Sequence, residues 1–190
     1  MELTLSYILS QILIAAYFIS LMPTYFVKNR KTMLIISFLG LVCCSTSYAL
    51  LGAWAGFAMT FISMLRNMIF LIDEQKNGKS NIITKKDILI LFVLCFTSIL
   101  FSIITYNGFF SLFSLTATIL YTVSVWQKDI IIYKALGIPV FIFDMIYNIS
   151  VGSYVGALLE FILVFNSIFG FVSEIKNKNK WIFFNKVFFY

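Results

Sequence analysis

The chain has 190 residues, 61% of them hydrophobic and 12% charged, with a formal net charge of +6. Soluble domains carry roughly 45–50% apolar and about 25% charged residues, so this chain lacks the polar skin that solubility requires. Sparse charge and high hydrophobicity also exclude disorder, and an integral membrane protein remains.

Taken in order, apolar runs predict seven spans at about 4–26, 33–53, 55–72, 88–105, 109–127, 134–151 and 154–173. A bilayer core about 30 Å thick needs roughly 17–25 apolar residues per helix. Runs this long and uniform fit helices, whereas barrel strands would alternate. The first run has no basic segment before it and no small-residue cleavage site, which predicts a retained helix rather than a cleaved signal peptide.

The basic residues predict the orientation. Lys28, Arg30 and Lys31 follow span 1; Lys76, Lys79, Lys85 and Lys86 follow span 3; Lys128 and Lys134 join spans 5 and 6; Lys176, Lys178, Lys180 and Lys186 lie in the tail. The opposite side, at Met1–Ser6, Gly52–Ala55, Tyr106–Gly108 and Gly152–Tyr154, carries neither Lys nor Arg. The positive-inside rule then puts the N-terminus outside and the C-terminus in the cytoplasm. Because the positive charge is topological, no nucleic-acid partner is expected; the partner is the lipid bilayer. The tail, 176–190, mixes lysines with Trp181, Phe183, Phe184, Phe188, Phe189 and Tyr190, a composition suited to a cytoplasmic membrane interface.

Chemistry is narrowed by what is missing. Histidine is absent, and Cys43, Cys44 and Cys95 sit in apolar runs without a CxxC spacing. These thiols read as small buried hydrophobes, and no metal site, cofactor or disulfide framework is expected.

A shift of 100 residues aligns Gly52 with Gly152, Gly56 with Gly156, Phe61 with Phe161 and Ile62 with Ile162. It also aligns Glu74 with Glu174, Lys76 with Lys176 and Asn77 with Asn177. This predicts an internal repeat: one unit at about 4–77, a linker helix at about 88–105, and a second unit at about 109–177, all within one membrane domain, 1–175. Three spans reverse the chain, and the linker reverses it again. The expected fold is therefore an all-α polytopic membrane protein of seven transmembrane helices, two parallel three-helix repeats joined by a linker helix. Parallel repeats of this kind occur in transporters, with the solute site between the units.

Three ionisable residues fall inside spans: Arg66, Asp144 and Glu160. Each costs about 2.5–3.5 kcal/mol at a helix centre, so all three should face an interior or a wet cavity. At 1.5 Å per residue, Arg66 lies about 16 Å below the outer surface and the two acids about 9 Å. A long Arg side chain spans that difference, and pairing of Arg66 with Glu160 or Asp144 is expected. Gln11, Ser63, Asn67, Tyr147, Asn148 and Asn166 lie near the same levels, and the repeat matches Arg66 with Asn166. The candidate solute-binding set is Gln11, Arg66, Asp144, Tyr147, Asn148, Glu160 and Asn166. The alternative is that these groups are helix–helix glue that no solute touches. Gly52, Gly56, Gly152 and Gly156 form two GxxxG pairs that predict close helix packing. Pro23 and Pro139 predict kinks in spans 1 and 6.

The run Asn148-x-x-x-Gly152-Ser153-x-x-Gly156-x-x-x-Glu160, the run from Gly52 to Arg66, Gln11, and the basic turn Lys28–Lys31 resemble the bacterial inner-membrane YgjV-type family over roughly residues 5–175. Tyr147 stands where that family leads one to expect His, and Ser63 where it leads one to expect Asn. The resemblance implies the bacterial cytoplasmic membrane as the location. More distantly, the 3+1+3 layout is similar to the SWEET sugar facilitators and the PnuC vitamin-precursor transporters, although the PnuC-like paired-tryptophan motif is not evident.

Three functions remain in view. The first is a transporter or facilitator of a small polar solute bound between the repeats. The second is a structural or regulatory membrane protein with a closed polar interior. The third, an intramembrane enzyme using Asp144 and Glu160, has no supporting serine–lysine pair, metal set or phosphate loop, so no catalysis is expected. Whether the chain forms a homo-oligomer is left open by the sequence.

Overall fold

Hydrocarbon offers no hydrogen-bond partner, so an apolar chain must satisfy its backbone within helices. The computed structural model describes residues 5–25, 27, 29–77, 85–127 and 129–188. Among them are seven α-helices: α1 (Leu5–Leu21), α2 (Arg30–Leu50), α3 (Trp54–Asn77), α4 (Lys85–Ile104), α5 (Ser111–Trp126), α6 (Ile130–Ser150) and α7 (Tyr154–Phe188). No strand occurs among the described residues. Six of the helical segments are long and apolar enough to cross a membrane. The other helix, α5, has 16 residues and a length of about 24 Å. It is shorter than the run at 109–127 suggests because Phe109 and Phe110 form the turn into it and Gln127 ends it. It packs against both α4 and α6, so the chain reverses at each of its ends.

Burial is inverted relative to a soluble protein. Ile12, Ile19, Leu65, Met68, Phe92, Phe96, Phe161 and Phe169 are exposed, while Arg66, Asn67 and Asn148 are fully buried. Lipid covers the apolar side chains at no cost, whereas polar ones must find partners inside.

Helix neighbours run α1–α2, α2–α3, α3–α5, α5–α6, α6–α7 and α7–α1, which closes a ring of six. The remaining helix, α4, packs outside the ring on α3 and α5. Its exposed Ile88, Leu89, Phe92, Val93, Ile103 and Ile104 suit that peripheral place.

The turns repeat with a spacing of 100 residues. Asn29 and Asp129 cap α2 and α6, their side-chain oxygens accepting from the N–H groups of Lys31 and Ile131 at 3.1 and 2.7 Å. The far ends close as paired Schellman turns. Ala53 N–H reaches Tyr48 O at 3.0 Å and Gly52 N–H reaches Ala49 O at 3.1 Å; Ser153 N–H reaches Asn148 O at 2.9 Å and Gly152 N–H reaches Ile149 O at 3.2 Å. These turns need a left-handed residue, and Gly52 (φ 68°) and Gly152 (φ 75°) supply it. The packing role expected of Gly52 therefore gives way to a turn role, since a Cβ there meets nothing within 4 Å. Gly56 and Gly156 do sit at close approaches: an added Cβ would lie 2.7 Å from the Tyr147 ring and 2.6 Å from Ser153 Oγ, respectively.

The prolines differ from each other. Pro139 lies inside α6, as expected. Pro23 does not kink α1, because that helix ends at Leu21 and Pro23 falls in a 3₁₀ turn, Met22–Tyr25. There Thr24 donates to Leu21 O at 2.6 Å, capping the last turn. At the other end of the chain α7 is continuous through residue 176 and is 35 residues long. That is about 52 Å, more than a bilayer core about 30 Å thick can hold. The side chains of the aromatic tail from Trp181 onward, and those of Lys28, Arg30, Lys76 and Lys79, lie outside the described residues.

Replacing Gly52 or Gly152 with Ala should each cost about 1–2 kcal/mol through the left-handed backbone alone. Gly56→Ala should cost about 1–3 kcal/mol through crowding against Tyr147. Thermal unfolding of the purified protein measures both, and an unchanged melting temperature for Gly52→Ala would contradict the turn role.

Candidate functional site

All six ring helices contribute to one small central cavity, and α4 contributes nothing. Its volume is about 40 Å³, room for roughly three waters. Helical spacing brings one face of each helix inward. From α1 comes Tyr17; from α2, Ser37, Leu41, Cys44 and Tyr48; from α3, Met59, Thr60, Ser63 and Arg66. The second half supplies Ser114, Ala117, Thr118 and Tyr121 from α5, Val140, Phe141 and Asp144 from α6, and Glu160 from α7. Four pairs in this lining stand 100 positions apart: Tyr17 and Ala117, Leu41 and Phe141, Cys44 and Asp144, Thr60 and Glu160.

Arg66 is 0% exposed. Its Nε donates to Asn67 Oδ1 at 3.1 Å and its Nη1 to Thr122 Oγ1 at 3.2 Å. The guanidinium lies 4.5 Å from the centre of the Tyr121 ring, a favourable cation–π position. A hydrogen-bonded chain supports these partners: Asn67 Nδ2 donates to Ser37 Oγ (3.2 Å), which meets Tyr121 Oη (3.3 Å), which meets Tyr133 Oη (3.0 Å). Arg66 Nη2 has no partner. The expected ion pair is not formed: among the described residues no carboxylate lies within ion-pair distance of Arg66. Two physical reasons account for this. Its neighbours on α5 hold the guanidinium to their side. Glu160 also stands six residues into α7 while Arg66 stands twelve into α3, a difference of about 9 Å in depth.

Glu160 is 4% exposed, and its Oε2 is also without a partner. Asp144, partly buried, lines the same cavity. The site thus holds one guanidinium on the α3–α5 wall and two carboxyl groups on the α6–α7 wall, with unmade hydrogen bonds on both. Among the described residues, no group of three or more Cys, Asp or Glu is placed to hold a metal ion.

Tyr147 and Asn148 lie one turn further along α6 than Asp144 and outside the lining. The Gly56 N–H, one of the unpaired amides of the first turn of α3, donates to Tyr147 Oη at 2.7 Å. Tyr48 Oη donates to Asn148 Oδ1 at 3.0 Å, and the Tyr48 and Tyr147 rings meet edge-on at 5.7 Å. Beyond them lies a second cavity of about 100 Å³, lined by Trp54, Asn107, Ser111, Tyr147 and Ser150 among others. Tyr48 faces the first cavity and Tyr147 the second, so this pair forms a plug between them.

Two further predicted residues are placed elsewhere. Gln11 clamps α1 to the start of α7, accepting from Val155 N–H at 3.2 Å and donating to Ser10 Oγ at 3.1 Å. Asn166 is half-buried on α7 with an unpartnered Nδ2 and does not line the cavity.

Sequence reading missed the hydroxyls: Tyr17, Ser37, Tyr48, Thr60, Ser114, Thr118 and Tyr121 line the cavity and Thr122 holds Arg66. The available signal was spacing, with Ser114, Thr118 and Tyr121 at i, i+4 and i+7 on α5.

A family model described as "Bacterial inner membrane protein", Imp-YgjV, matches residues 8–178. No curated protein and no solved structure matches the chain. The chain belongs to the Imp-YgjV family of bacterial inner membrane proteins.

Tyr147→Phe leaves the Gly56 N–H without its acceptor in a buried place and should destabilise the protein by about 1–3 kcal/mol. Thermal or denaturant unfolding measures the loss; stability equal to wild type would remove the plug's central bond.

Proposed function

We propose that this member of a bacterial inner-membrane family is a transporter or facilitator of a small polar solute, bound between two parallel three-helix units. The observation that carries the reading is the central cavity, lined by Arg66 from α3 and Glu160 from α7, each of which keeps a buried polar atom without a partner. Ionisable groups in a membrane interior are costly and mark solute or ion pathways by default.

Several observations support the two-unit layout. Helices α2 and α6 have bounds 100 residues apart, and α3 and α7 start 100 residues apart. The caps and Schellman turns match pair by pair. Within α1–α3 and within α5–α7, consecutive helices pack in the same order, and the units meet at α3–α5 and α7–α1. Tyr48 and Asn148, also 100 apart, touch each other, as matched residues near a two-fold axis do. In this layout α4 is the linker, the cavity lies on the axis, and substrate sites of transporters built from such repeats lie at that place. The distribution of Lys and Arg supports an outside N-terminus and a cytoplasmic C-terminus.

In this reading Arg66 and Glu160 contact the solute and Asp144 assists. Tyr48, Tyr147 and Asn148 close the outer end, and the chain from Arg66 through Asn67, Ser37 and Tyr121 closes the inner one. The reading assigns no catalysis. A second reading, a structural or regulatory protein with a closed polar interior, is favoured by the cavity's small volume of about 40 Å³.

Native Cys44 lines the cavity and separates the two readings. With Cys43 and Cys95 changed to Ala, a transporter should let a small water-soluble thiol reagent reach Cys44 in membranes as the plug opens. Inert Cys44 together with an inert Thr118→Cys favours the closed interior. Arg66→Ala and Glu160→Gln should each abolish uptake into proteoliposomes of a solute found by thermal-shift screening; unchanged uptake in both would withdraw the residue assignment. A fluorescent protein fused to the C-terminus should fluoresce and a periplasmic phosphatase at the same place should be inactive; the reverse pattern would invert the orientation.

A further inference from the structure

We propose that the central cavity takes a small zwitterion, one ammonium and one carboxylate group on the same or neighbouring carbons, as the smallest amino acids carry; this rests on the transport reading above. Opposite charges attract strongly in a low-dielectric interior, and Arg66 and Glu160 face one cavity, yet they are not paired. Packing holds them apart, and each keeps a buried polar atom unbonded: Arg66 Nη2 and Glu160 Oε2. An anion alone would satisfy the first and leave the second. A cation alone would do the reverse. In either case one buried group would retain its full desolvation cost. A ligand with both poles satisfies both walls at once.

The numbers of groups agree with this. One guanidinium is offered to an acceptor pole, in the fork geometry that suits a carboxylate. Two carboxyl groups, Asp144 and Glu160, are offered to an ammonium with three donors. Arg66 is the deeper group by about 9 Å measured along the helices, so the ligand's carboxylate points away from the plug and its ammonium toward Tyr48. Size restricts the class further. A cavity of about 40 Å³ admits only the smallest such molecules without wide parting of the walls.

The test uses full-length protein in lipid nanodiscs, titrated with glycine, alanine, methylammonium, acetate and glucose. Glycine or alanine should bind at least about tenfold more tightly than methylammonium or acetate, the loss expected from one missing charge-assisted hydrogen bond. Arg66→Met should shrink the gap between glycine and methylammonium, and Glu160→Gln should shrink the gap between glycine and acetate. Arg66→Lys, with a melting temperature near wild type, guards against a variant that merely misfolds and should bind glycine measurably but more weakly. Methylammonium or acetate binding as tightly as glycine would overturn the proposal. So would glucose binding without zwitterion binding, and that result would leave transport standing. If no zwitterion binds, the proposal also falls, and the reactivity of Cys44 then decides whether the transport reading falls with it.

Discussion

Hydrocarbon cannot hydrogen-bond, and the rest of this structure follows from how one guanidinium is solvated within it. Arg66 is fully buried in the middle of α3, where water would otherwise have to follow it. Its partners are a neighbouring amide, a threonine hydroxyl and a tyrosine face. Those groups are themselves positioned by Ser37 on α2 and Tyr133 on α6. Solvating one charge therefore recruits four helices. The polar faces of α2, α3, α5 and α6 must turn inward together, and the apolar faces are left for lipid. The ring of helices is the geometric result.

The ends of α2 and α6 set the second constraint. A Schellman turn fixes the direction in which the chain leaves a helix, because two amides are tied back to carbonyls one turn earlier. In both turns the carbonyl three residues before the cap is the anchor, at Tyr48 and at Asn148. The backbone of each residue is thus pinned by the turn while its side chain reaches inward. The contact between Tyr48 and Asn148 is a consequence of two identical turns facing one another. Gly56 and Gly156 allow it, since a methyl group at either would strike Tyr147 or Ser153.

Much of this was legible in the sequence, for reasons that can be named. Helix existence follows from long apolar runs; the starts of α2 and α6 fall three or four residues earlier than hydropathy alone places them, because Asn29 and Asp129 cap them. The intramembrane charges announce themselves because few sequences tolerate them. The roles of Gly52 and Gly152 were less legible, because GxxxG spacing is the same for a packing pair and for a turn glycine followed by a packing glycine. Pro23 read as a kink because hydropathy continues past it, whereas its ring ends the helix. The hydroxyls were hardest to read. Serine and threonine in apolar helices bond to their own preceding turn, as Thr122 does to Thr118 O at 2.7 Å and Thr60 to Gly56 O at 2.9 Å. That local bond makes them look neutral in any span, and only the third dimension shows which of them also face a cavity. Gln11 was assigned to the site by depth alone, and depth does not distinguish the ring's interior from a seam between α1 and α7.

The separation of Arg66 from the two acids bears most directly on what the protein does. Desolvating a charge is expensive, and a direct bidentate pair would recover part of that expense. A protein under selection for stability alone has two cheaper arrangements: the pair itself, or aliphatic side chains of similar volume. This chain has neither. It keeps a guanidinium and two carboxyl groups around one small cavity, with a polar atom on each wall unbonded. Its other buried cation shows that the sequence can make such a pair: Lys134 meets Glu174 at 2.8 Å near the start of α6. Helices α6 and α7 therefore share a closed pair at one level, while at another their acids stand apart from Arg66 on α3. Structural glue accounts for the first. The second leaves a polar atom on each wall unbonded, and the edge-on rings of Tyr48 and Tyr147 stand between its cavity and the next one.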